Sequence, residues 1–132
     1  QSEPQMEQSE PQIGQQSISE GDAQNMGSEY IFSDTDVRYL TREEVEKLSL
    51  QAACYAKNEI YARHGRMFRS QELQDYFGEK SWYVGSIPPD EFSETVFNDY
   101  EKANISSLQS WEYTLNGNGY LLDQAGYDIH SF

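Results

Sequence analysis

The first clustered hydrophobes are Tyr30, Ile31 and Phe32, and beyond them apolar positions recur at helical spacing. In "TREE", Thr41 is placed to cap a helix and Glu44, three residues later, can reach back to the cap, so a short helix is expected from Arg42 to about Leu48. "SLQAACYAKNEIYARHG" offers Ser49 as a second cap, a run of helix formers, and Gly65 as a left-handed residue just past the end. A third helix is expected after Ser70, through "QELQDYF" to the region of Gly78, with Leu73, Tyr76 and Phe77 on one apolar face. "SIPPD", Ser86 to Asp90, is a break because prolines do not sit in a helix interior. The fourth helix is expected across "SETVFNDYEKANISSLQSWEY", with Val96, Phe97, Tyr100, Ile105, Leu108 and Trp111 as its apolar contacts. Then the pattern stops, and the Asn-Gly pairs of "LNGNGYLL" suit a tight turn that can return a short strand through Tyr120 to Leu122. The expected fold class is mainly α, a small bundle of about four helices with room for a short C-terminal β-hairpin.

The opening segment repeats "QSEPQ" at Gln1–Gln5 and Gln8–Gln12 and carries no aromatic residue before Tyr30. Such a stretch buries too little surface to offset its chain entropy. The chain therefore divides into a disordered Gln/Ser/Glu-rich linker over 1–29, a helical domain over 30–113, and a C-terminal extension over 114–132 that can pack on the domain.

Charge narrows the partners. Nine Lys plus Arg against 23 Asp plus Glu give a net charge of −14, which argues against nucleic acid. All the cationic residues lie between Arg38 and Lys102. No apolar run approaches the roughly 20 residues that span a bilayer, so no direct membrane insertion by this chain is expected. The chain opens on glutamine rather than methionine, which leaves room for an upstream leader or lipid anchor. Cys54 is the only cysteine; its alanine neighbours indicate a small buried helix residue rather than a reactive thiolate.

Candidate chemistry concentrates in "NEIYARHGRMF", Asn58 to Phe68. On that helix Ala56 and Ile60 turn inward, and Glu59 stands four residues before Arg63, a spacing that makes an architectural ion pair available. His64 sits at the presumed helix end and reads as a capping or core-satisfying residue. A catalytic histidine needs an orienting acid and a nucleophile in reach, and no G-x-S-x-G turn is present. His130 has no ligand-like spacing to His64, so neither a metal nor any other cofactor is expected. Arg63, Arg66 and Arg69 recur every three residues. They read either as a forked site for carboxylates or phosphates, or as charges neutralised internally by Glu59, Glu72, Asp75 and Glu79. In "SWYVG", Trp82 reads as core, while Tyr83 is equally suited to core or to presenting a flat face to a sugar or peptide. Asn98, Glu101 and Asn104 form a polar stripe on the fourth helix that can hold it against the loop after the third.

"NEIYARHGRMF", followed in order by "ELQDYF", "SWY" and "YEKANI", resembles the YARHG domain, whose name is spelled here by Tyr61, Ala62, Arg63, His64 and Gly65. The resemblance runs from about Tyr30 to Tyr113. It implies a small, mainly helical domain from exported or surface-exposed parts of bacterial proteins, hence an extracellular or cell-surface location. Peptidoglycan binding has been proposed for the family, and it has no assigned catalytic residues. The leading expectation is a non-catalytic extracellular binding module for peptidoglycan or muropeptide, with Arg63, Arg66, Arg69 and Tyr83 as candidate binding residues. Asn58, Glu59, Tyr61, Arg63, His64, Gly65, Trp82, Glu101 and Asn104 are the structural motif. One alternative is a structural or protein-interaction domain with the motif as internal scaffolding. A weaker one is a cell-wall hydrolase, for which Glu59 with Glu101 is the only carboxylate pair to nominate.

Overall fold

A computed structural model of the protein describes residues 29–132, so the expected linker lies, but for Glu29, outside the described residues. Four α-helices follow one another: α1 (Arg42–Glu46), α2 (Leu50–Arg63), α3 (Gln71–Gly78) and α4 (Asp99–Leu115), with single 3-10 turns at Pro89–Glu91 and Glu94–Val96. Among the described residues there is no strand, and no helix is long and apolar enough to cross a membrane. The mainly α expectation holds.

Each helix begins where its polar cap dictates. Thr41 Oγ1 accepts from Glu44 N at 3.1 Å while Glu44 Oε1 accepts from Thr41 N at 2.8 Å, closing the capping box. Ser49 and Ser70 cap α2 and α3 by accepting from Ala52 N and Leu73 N. Asp34–Phe132 forms one compact unit in which α2 packs most extensively against α4. Tyr55, Ile60, Phe77 and Leu108 are its fully buried large apolar side chains. Removing each of them from water is worth on the order of 1.5–3 kcal/mol.

The fourth helix starts later than expected. Ser93 caps only a 3-10 turn, Phe97 is extended, and α4 begins at Asp99. The reason is a second capping box: Asn98 Oδ1 accepts from Glu101 N at 2.9 Å and Glu101 Oε1 accepts from Asn98 N at 3.0 Å. Phe97 and Leu108 are buried, but Val96 and Tyr100, read as apolar contacts of that helix, are exposed.

The hairpin does not form. Beyond α4 the chain turns at Asn116–Gly119, with Gly119 at φ +71°, and its backbone donors go to helix carboxylates instead of a partner strand. Tyr120 N donates to Glu112 Oε2 at 2.8 Å and Asp123 N to Glu72 Oε1 at 2.9 Å. Tyr120 Oη also donates to Glu72 Oε2 at 2.6 Å, and the Phe132 ring meets Tyr55 edge-on at 5.0 Å. Glu72 and Glu112 are both buried, so this closing segment supplies hydrogen bonds that buried carboxylates require.

Candidate functional site

The end of α2 is built by the run of residues from Tyr61 to Arg66. Gly65 takes φ +88°, its N–H bonds Ala62 O at 2.9 Å, and Arg66 N reaches Tyr61 O at 3.4 Å, the pair of bonds that defines a Schellman closure. Gly65 O then accepts from both Ser86 N and Ile87 N, and Met67 N donates to Ile87 O. The helix end is thereby fastened to the loop that follows α3.

The flanking residues reach outward to separate elements. His64 Nε2 and Glu101 Oε2 are hydrogen-bonded at 2.7 Å, joining the end of α2 to the first turn of α4. Arg63 lies 3.6 Å from Asp36. The Tyr61 ring packs edge-on to Phe97 at 5.0 Å and against Phe92 at 5.7 Å. Glu59 is completely buried. Asn104, almost completely buried, accepts from Leu40 N at 2.8 Å and donates to Thr35 O and Arg38 O, each at 2.9 Å. The polar stripe is thus split. Asn98 caps α4, Glu101 takes His64, and Asn104 holds the segment before α1, not the loop after α3.

The cationic residues part company as well. Arg69 pairs with Asp90, both exposed, while Lys57 Nζ is 2.9 Å from Glu112 Oε1. Three of the four acids proposed as neutralisers have other partners: Glu72 holds Tyr120 and Asp123, Asp75 accepts from Tyr127 and Gln71, and Glu79 meets His130 at 2.8 Å. Internal neutralisation operates, with Asp36 beside Arg63 and Asp90 beside Arg69 taking part. Arg66 differs from the other four arginines, each of which has an acid within 4 Å. Among the described residues its guanidinium makes no ion pair; it lies over the Tyr61 ring at 5.5 Å and the Phe68 ring at 5.3 Å.

Two clefts open beside Arg66. One, of about 300 Å³, is lined by Lys57, Asn58, Tyr61, Phe92, Glu94 and Gln109 among others. The second, of about 410 Å³, is bordered by Phe68, Arg69, Ser70, Leu122 and Asp123. Tyr83 is half-buried, stacks near Phe68 and Phe77, and donates to Arg66 O at 2.7 Å, so it positions Arg66. Trp82 is half-buried and meets Phe77 edge-on at 6.1 Å. Burial raises the Tyr61 hydroxyl above its ordinary range, with Glu94 adding to the effect, and burial likewise raises Tyr83. Among the described residues no group of His, Cys, Asp and Glu is arranged to hold a metal ion.

Sequence reasoning missed Asp36, Glu112 and Asp123 as structural partners and assigned Glu72 to the arginines instead of to Tyr120 and Asp123. Only Asn98 carried a local signal, because "NDYE" is itself a capping-box pattern. No curated protein and no solved structure shows significant similarity to the chain. The family model described as the YARHG domain, however, matches residues 28–113, well over half of its length. On that match, the chain belongs to the YARHG domain family.

Proposed function

We propose that the protein is a non-catalytic binding module acting outside the cell or at its surface, with peptidoglycan or muropeptide as its ligand and an upstream segment as its tether. The observation that carries this reading is Arg66: a half-buried arginine whose guanidinium lies over two rings, with no acid partner among the described residues, in a chain of 23 acids. A chain this acidic neutralises its arginines readily, and one left over beside two clefts is a recognition group for a ligand's own negative charge. Nucleic acid is not among the ligands proposed, because the net charge of −14 opposes it. The non-catalytic part is supported by the nominated carboxylates. Glu59 and Glu101 are both buried, and each Glu101 oxygen is already engaged, by Asn98 N and by His64.

The test is co-sedimentation of the purified protein with washed cell-wall sacculi beside a known wall binder. The parent is expected to pellet and Arg66→Ala to remain largely in the supernatant; a parent that never pellets sinks the reading. A second reading, a structural or protein-interaction domain with the motif as scaffolding, draws on the inward links of His64, Gly65 and Asn104. It predicts that His64→Ala lowers the thermal midpoint and that no wall material is held.

A further inference from the structure

We propose that Arg66 and Asn58 together form a subsite for a single carboxylate carried next to an amide, the chemistry shared by a peptide C-terminus and an N-acylated sugar acid. This deepens the binding-module reading and rests on it for its biological setting.

Arg66 retains little freedom. Its N–H bonds Tyr61 O, its carbonyl accepts from Tyr83 Oη at 2.7 Å, and its backbone bridges Ile87. Two aromatic rings lie against its guanidinium, Tyr61 with its centroid at 5.5 Å and Phe68 at 5.3 Å. The head group is therefore prepositioned, and little side-chain entropy remains to be lost when an anion arrives. Its planar N–H fork donates no hydrogen bond to the described protein, and a carboxylate matches that fork with two parallel bonds.

Charge around it selects a small monoanion. Lys57 and Arg69 line the two clefts, but Glu112 and Asp90 neutralise them. Glu94 borders one cleft and Asp123 the other. One cation without an ion pair, set between acidic margins, accommodates a single carboxylate at its fork while the margins repel a phosphate diester chain or other polyanion.

The neighbouring amides supply the second feature. Asn58 Nδ2 donates to Cys54 O at 2.9 Å, which orients the side chain and leaves Oδ1 to accept a ligand N–H. Gln109 lines the same cleft, and Tyr61 and Phe92 give it aromatic walls for an aliphatic or ring flank.

The experiment is a two-dimensional amide NMR titration of the parent protein with four probes. They are N-acetylmuramic acid, N-acetyl-dialanine, and the uncharged counterparts N-acetylglucosamine and N-acetyl-dialanine amide. The inference expects saturable shifts at Asn58, Arg66 and Gln109 with at least one acid, and binding about tenfold or more weaker for its uncharged counterpart. Saturation by the sugar acid alone, or by the peptide acid alone, identifies the source within the proposed class. No saturable shift with either acid, or equal affinity for the uncharged forms, overturns it. Arg66→Met keeps an unbranched apolar stem beside the Tyr61 and Phe68 rings and is expected to abolish the shifts at an unchanged thermal midpoint. Acid binding by a protein that never pellets with sacculi would remove the wall reading while leaving the subsite standing. Sacculus binding undiminished in Arg66→Met would remove the subsite and leave the wall reading intact.

Discussion

Replacing Asn104 by alanine is expected to be among the most damaging single changes to the fold. The side chain is 1% exposed and makes three hydrogen bonds, from Leu40 N at 2.8 Å and to Thr35 O and Arg38 O at 2.9 Å. Alanine leaves those three backbone groups without that partner. A buried unsatisfied group costs about 1–3 kcal/mol, and the Arg38 carbonyl, at a part-buried position, recovers water more readily than the other two. The two fully buried groups alone therefore sum to about 2–6 kcal/mol, a large share of the roughly 5–15 kcal/mol that stabilises a small domain. Asn104→Asp is the sharper variant, since it keeps an acceptor for Leu40 N but turns a carboxylate oxygen toward two carbonyls in a dry site. It should be at least as destabilising. Urea unfolding followed by tryptophan fluorescence gives the measurement, because Trp111 on α4 donates to Leu48 O and reports the same packing. A loss below about 1 kcal/mol at unchanged slope would refute the claim that Asn104 anchors the segment before α1 to α4.

Three further outcomes follow from particular residues. Gly65→Ala forces a side chain into φ +88° and sets its Cβ 2.9 Å from Ser86 Oγ; because that hydroxyl can rotate away, the backbone term dominates and a loss of about 1–2 kcal/mol is expected by denaturant titration. Burial pushes the Cys54 thiol up to about 12, with Glu112 adding to it, so an aromatic disulfide reagent at about pH 8 should label the thiol only after unfolding; rapid labelling of the native protein would contradict its burial. Arg38, hydrogen-bonded to Glu44, holds that carboxyl at about 2 against an ordinary 4.5, so its stabilisation is complete above 4.5 and is lost as pH falls through 2. Glu44→Gln should therefore flatten the fall of stability across that window, and an unchanged acid profile would remove Glu44 as a contributor.

What the sequence revealed was local. The Thr41–Glu44 box, the Ser49 and Ser70 caps and the glycine after α2 each depend on residues within a few positions of one another, and each formed as their spacing indicates. The start of α4 was misplaced because two local signals compete. Ser93 before Val96 and Phe97 is a plausible beginning, but the Asn98–Glu101 box satisfies two backbone donors and prevails. The hairpin failed for a non-local reason: the partners of Tyr120 and Asp123 include Glu72, some fifty residues earlier, and no short pattern announces that. At the candidate site the three arginines recur at an even three-residue spacing, but Arg66 and Arg69 lie past the end of α2, so no helical pattern tells them apart. The positions of Asp36 and Asp90, and of the Tyr61 and Phe68 rings, distinguish Arg66 from its neighbours.

The closing segment has a consequence for where this domain ends. Likeness to the family stops at residue 113, yet Glu72 and Glu112, both inside the matched region, draw hydrogen-bond partners from Tyr120 and Asp123 beyond it. Ancestry and foldability therefore set different borders in this chain. A gene fragment trimmed to the recognisable family stretch would encode two interior carboxylates short of hydrogen-bond donors, Glu112 left with Lys57 and Glu72 with the Tyr55 hydroxyl. A relative that lacks the closing segment must either offer other donors at those two places or do without the acids there. The boundary that matters to an expression experiment is drawn by those carboxylates, not by similarity.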